Sequence, residues 1–211
     1  MALDWNRQLL GQLEFYWDFH LRPRLAGLTD EEYLWEPVAG CWSVRRTASG
    51  DFEPDSAAPE PDPPPVTTIA WRMVHIGAFC LGNRAEAFFG TGSAGGAGLA
   101  GSAGGAVTMF DKRFVPRPLP GTAQEAIAYL ERAYAAWHDG VAALGEDGLA
   151  RPLGPRGAGF ADEPMAALVL HLNREVMHHG GEIGVLRDLY RVSRRLPMEA
   201  VGSPRSGRGT G

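Results

Sequence analysis

The stretch "PMAALVLHLNREVMHHGGEIGVLRDLY", residues 164–190, decides the fold class. Leu168, Leu172, Val176, Ile183 and Leu186 recur at steps of three, four and seven, the signature of one apolar helix face. Beside that stripe run His171, Glu175 and His179, at i, i+4 and i+8, on a second common line. Three of the chain's six histidines fall between residues 171 and 179. A long helix with ionisable residues next to its buried stripe matches the way bundle helices present polar groups to one another.

Outward from this helix, three more helical patterns appear. Residues Asp4 to Leu25 carry Leu9, Leu10, Leu13, Trp17, Leu21 and Leu25 on one face, with Pro23 expected to bend the last turn. Residues Thr67 to Phe89 place Trp71, Val74, His75, Ala78, Leu81 and Ala85 on one stripe, capped by Thr67 or Thr68. Residues Thr122 to Leu144 do the same with Ala126, Ile127, Leu130, Ala133, Tyr134 and Trp137. Between the first two, Thr29 followed by Glu32 is a capping-box spacing that predicts a short helix, ended by Pro37 and Gly40. The "GCWSVRR" that follows reads as a loop or a short extended piece.

The punctuation is equally plain. Residues 50–66 are rich in proline and acidic groups and are expected to be an exposed, polyproline-like loop. "GTGSAGGAGLAGSAGGA", residues 90–106, is costly to order and is expected to be a flexible insertion. "VTMFDKRFVP" after it reads as a short strand or extended arm. The predicted architecture is all-α, an antiparallel four-helix bundle with a long crossover connection. One domain is expected over residues 1–190, followed by a disordered tail over 191–211.

Composition narrows the function. At 211 residues and 45% hydrophobic, the chain supports one full core. A formal charge of −5 argues against general nucleic-acid binding, which needs a concentrated basic surface. No apolar run approaches the ~18 residues of a membrane helix. Cys41 and Cys80 form no zinc-finger or CxxC spacing and fit a reducing compartment, so a cytoplasmic location is expected.

The His/Glu stripe points to a metal. Residues i and i+8 lie about 12 Å apart along a helix axis, so His171 and His179 do not share an ion. The chelating pair is either His171 with Glu175 or Glu175 with His179, and a third ligand must come from another helix. His75, on the apolar stripe of the second helix, is the best placed; His20 and His138 are weaker. The order H-x-x-x-E-x-x-x-H is not the H-E-x-x-H of a zinc protease. A single histidine on an apolar face is ordinarily a hydrogen-bonded core residue, but a buried glutamate is rare unless paired or metal-bound.

"HLNREVMHHGGEIGVLRDLY", "TTIAWRMVHIGAF" and "LTDEEYLWEPVAGCWSVR" together resemble the DinB-like superfamily of bacterial four-helix-bundle proteins, related to the mycothiol-dependent maleylpyruvate isomerases. The resemblance covers about residues 1–190. It implies a divalent metal, zinc or nickel, held by His75, Glu175 and His179, with His171 and Glu182 beside the pocket and His178 on another face. It further implies transfer of a low-molecular-weight thiol, such as mycothiol or bacillithiol, to an electrophile. Arg45, Arg46 or Arg174 would receive carboxylates of the thiol or substrate. A metal-stabilised bundle that binds a ligand or partner without chemistry is the alternative, and metal-dependent hydrolysis a lesser one. Small molecules are the expected partners, with neither nucleic acid nor membrane, and a homodimer is plausible for such bundles.

Overall fold

A computed structural model of the chain describes residues 3–90 and 107–195. The first helical run starts as α1 (Trp5–Tyr16), capped by the Asp4 side chain on the Arg7 amide. It passes through a π-helical segment (Trp17–Leu21) into α2 (Arg22–Leu25). Pro23 has no amide hydrogen for the Phe19 carbonyl, and the turn before it widens so that the Arg22 amide bonds Trp17. The bend expected at Pro23 therefore takes the form of a wider turn.

The short helix α3 (Asp30–Tyr33) starts at Thr29, whose hydroxyl accepts the Glu32 amide at 3.2 Å. The other half of the predicted capping box is not made. The Glu32 carboxylate turns instead to Arg187 on the last helix.

A hairpin follows, β1 (Val44–Arg46) antiparallel to β2 (Phe52–Pro54). The acidic, proline-rich segment, expected as an exposed loop or an extended polyproline-like piece, thus begins with a strand paired to β1. Asp55 anchors it by accepting the Ser43 amide at 2.9 Å and the Arg45 guanidinium at 2.8 Å.

The second run comprises α4 (Ile69–Val74), a π-helical segment (His75–Gly82) and α5 (Asn83–Phe89). Thr68, of the two candidate caps, accepts the Trp71 amide. After residue 107, where a short strand or extended arm was expected, no strand forms: Asp111 caps a short 3-10 turn, Lys112–Phe114, and Phe114 is buried. Helix α6 (Ala123–Ala142) opens with a complete capping box between Thr122 and Glu125. After α7 (Gly145–Ala150), the chain enters α8 (Met165–Arg195). It reaches five residues past the predicted end at 190. Apart from Gly90, the glycine-rich insertion lies outside the described residues, as does the tail beyond Arg195.

The described residues are mostly helical. The first run touches α6 and α8, and the second run also touches both. Leu13, Trp17 and Leu21 meet Met73, Ile76 and Leu81, Leu130 and Trp137, and Leu172, Val176 and Ile183 in one buried cluster. At Gly180 the first and last helices come close enough that a Cβ would lie 2.7 Å from the Tyr16 hydroxyl. No described helix is long and apolar enough to cross a membrane.

Candidate metal centre

The second run and α8 lie side by side, and their ionisable residues converge at the contact. His75, first residue of the π-segment, sends Nε2 to within 3.5 Å of Glu175 Oε2. His179, one turn beyond Glu175 on α8, brings its own Nε2 within 3.3 Å of the same oxygen. The two imidazoles pack edge to face with ring centroids 4.6 Å apart. Two histidine nitrogens and one carboxylate oxygen thus share one small space, with side-chain exposures of 28% (His75), 22% (Glu175) and 14% (His179).

Neighbours hold each ring. Trp71 stacks on His75 at 5.0 Å with planes only 8° apart. The Trp71 indole is itself fixed, donating to the Asp55 carbonyl at 2.9 Å, so the acidic loop after β2 borders the site. On the far side of His179, Nδ1 lies 2.7 Å from Glu182 Oε2. With the proton on Nδ1, that contact is a donated hydrogen bond, and it leaves the Nε2 lone pair free for a cation. Arg72 reaches the same Glu182 oxygen and approaches His179 Nδ1 at 3.0 Å.

Electrostatics favour deprotonated forms of His75 and Glu175. Burial, reinforced by the His179 charge, pushes His75 down to about 4 despite the opposing pull of Glu175. Burial alone would raise Glu175, but His171, His179 and His75 together outweigh it and hold the carboxyl below its ordinary value. At neutral pH, His75 therefore presents a lone pair and Glu175 a negative charge.

His171 sits further out, 44% exposed, with Nδ1 3.7 Å from Glu175 Oε1 and 2.7 Å from the Arg174 guanidinium. His178 is more exposed still and faces Glu182 at 3.5 Å. His178, His179 and Glu182 form a second group of ligand atoms mutually within 4.8 Å. The Arg72 guanidinium lies directly on its Glu182 oxygen, so a cation there would meet a fixed positive charge. Among the described residues, the ion-pair contacts of the Glu175 carboxylate are histidines, with no guanidinium on it. His20 and His138 lie elsewhere, His20 stacked on Tyr16 and His138 bonded to Glu14.

Two functional neighbours were not singled out in the sequence. Arg72 is one, anchored by Glu182. The other is Cys80, whose Sγ groups with His75 and Glu175 ligand atoms, all within 4.8 Å of one another. Burial, with the Glu175 charge, pushes the Cys80 thiol up to about 12 against the pull of Arg84, so without a metal beside it the thiol keeps its proton. Of the three candidate arginines, Arg45 is committed to Glu36 and Asp55, Arg46 donates to the Gly50 carbonyl, and Arg174 borders the triad through His171.

The donor set fits a divalent metal. Donors on a tetrahedral zinc at ~2.0–2.2 Å stand ~3.4 Å apart. Two of the three donor separations, His75–Glu175 at 3.5 Å and His179–Glu175 at 3.3 Å, match that spacing, and the two imidazole centroids stand 4.6 Å apart. No curated protein and no solved structure gives a significant match to the chain. The family model for the DinB superfamily matches residues 20–183, which span the first helical run's end, the second run and α8 through Ile183. The chain belongs to the DinB superfamily.

Proposed function

We propose that this protein is a metal-dependent thiol S-transferase, conjugating a low-molecular-weight thiol such as mycothiol or bacillithiol to an electrophile. The observation that carries the reading is the convergence of His75 Nε2, His179 Nε2 and Glu175 Oε2 at a partly exposed seam between two helices. A divalent metal held by these three, zinc or nickel, would supply positive charge that lowers the pKa of a thiol presented from the solvent side.

The chain's own residues do the rest. Glu182, accepting from Nδ1, would hold His179 in the tautomer that frees Nε2 for the ion, and Trp71 fixes the His75 ring plane. Arg72 is tied to Glu182 and so reinforces that orientation rather than serving a substrate. Arg174, exposed beside His171, is the cation best placed to receive a carboxylate of the incoming thiol. The helical runs around the seam constitute, in this reading, the antiparallel four-helix bundle of the superfamily, acting in the cytoplasm. Exposed Phe15 and Phe19, 5.2 Å apart on the first run, are the face through which a homodimer would pair.

The ligands come from two helical runs, so the same ion would also cross-link them. That favours, as the second reading, a metal-stabilised bundle without chemistry. The test is conjugation of monochlorobimane by the metal-loaded protein, with each thiol in turn, against Glu175→Ala. Transferase chemistry predicts turnover in the wild type and its loss, by 100-fold or more as an order of magnitude, in a variant that still folds. A holo protein that binds no thiol, and whose metal only raises Tm, sinks the transferase reading and leaves the structural one.

A further inference from the structure

The π-segment His75–Gly82 does something an α-helix would not. On an α-helix, residues five apart point about 140° away from one another. In the π-segment the helix closes on the fifth residue, as the Asn83 amide bonded to the Ala78 carbonyl shows. His75 and Cys80 are five apart, and the wider turn brings the thiol onto the side of the helix that carries the imidazole. Cys80 Sγ then lies within 4.8 Å of the His75 and Glu175 ligand atoms. The thiol is 5% exposed and makes no hydrogen bond among the described residues, whereas the other cysteine, Cys41, donates to the Val38 carbonyl at 3.0 Å. A buried, unpartnered sulfur facing a cluster of metal-ligand atoms calls for a reason.

We propose that Cys80 is a fourth protein ligand of the metal held by His75, Glu175 and His179, giving an N2OS donor set closed on its core side by sulfur. The proposal rests on the reading that the triad binds a metal, and it adds what that metal is. Sulfur and nitrogen donors on a tetrahedral zinc are ~3.6 Å apart, so Cys80 Sγ, already grouped with the His75 and Glu175 ligand atoms, would draw in with them around the ion. A thiolate donor selects zinc or cobalt over magnesium, calcium or manganese, which take oxygen ligands. The thiol proton leaves to solvent as the metal enters, so the S–H bond is exchanged for a sulfur–metal bond with no change of oxidation state. Cys80 is buried, whereas the His75 and Glu175 side chains are 28% and 22% exposed, so a further ligand would have to enter past those two.

The test is cobalt(II) titration of the metal-free full chain, with Cys80→Ser, Cys41→Ser and His179→Ala compared. The proposal expects visible d–d bands and a near-ultraviolet sulfur-to-cobalt charge-transfer band in the wild type and in Cys41→Ser. In Cys80→Ser, the near-ultraviolet band is lost and the visible bands persist, shifted. X-ray absorption of the zinc-loaded wild type needs no variant and is expected to require one sulfur at about 2.3 Å. Visible bands without the charge-transfer band, and a zinc shell of nitrogen and oxygen only, overturn the Cys80 proposal while the triad stands. No cobalt bands at all, with His179→Ala indistinguishable from wild type, overturns both.

Discussion

At His75, one ring answers to three influences at once: burial against the core, the neighbouring His179, and the opposing charge of Glu175. Burial wins, and the folded protein refuses a proton on His75 until about pH 4, whereas an unfolded chain accepts one near 6.5. Between those values the unfolded state binds more protons, so stability rises with pH through this window and is lost as pH falls. For the metal-free protein we expect denaturation free energy to decline from pH 6.5 to about 4, by no more than about 3 kcal/mol from this group. His75→Gln should flatten the profile, and an unchanged slope would show that His75 is not held neutral by the fold. Helical periodicity put Glu175 and His179 on one face of α8 and His75 on the apolar stripe of the second run, the family resemblance singled out these three as candidates, and the structure brings their side chains together. Cys80 was not legible. Its approach to His75 depends on a turn of five residues, and a spacing argument built on 3.6 residues per turn points it elsewhere.

At the scale of the element, the π-segment decides the geometry of the site. Its hydrogen-bond register leaves the Phe79 carbonyl to the Arg84 guanidinium, at 2.5 Å. Its close coil also leaves no room at Gly82, where a Cβ would stand 2.6 Å from the Gly77 carbonyl oxygen and 3.2 Å from Pro116. Gly82→Ala must therefore distort the segment. The expected cost is roughly 1–3 kcal/mol in chemical denaturation, with weaker metal binding because His75 moves with the segment. A variant as stable as wild type, with unchanged affinity, would mean that the π-register is not needed. Periodicity located all four long helical runs to within a few residues, but it could not foresee either π-segment, since both interrupt a face without removing its apolar residues. The β2 strand was hidden for a related reason. Its pairing with β1 is set by Asp55 reaching Ser43 and Arg45, a contact between residues ten or more apart.

Over the whole molecule, the site depends on how α8 is held against the rest. Beyond the site, the buried pair Glu32–Arg187 does this: the guanidinium meets both carboxylate oxygens at 2.8 Å and also donates to the Ala26 carbonyl at 3.1 Å. Both side chains are 5% exposed or less. Glu32→Ala strands a buried positive charge and is expected to cost about 3–5 kcal/mol, read from the midpoint of urea unfolding. A loss below 1 kcal/mol would show that α8 is anchored by apolar packing alone. Glu32 had been read in the sequence as the far half of a capping box, and only the tertiary structure redirects it. The most direct test is anomalous diffraction at the zinc edge from crystals of the metal-loaded protein. One peak is expected, bounded by His75 Nε2, His179 Nε2 and the Glu175 carboxylate. A peak on the His178–Glu182 side, or none in crystals grown with excess zinc, would contradict it.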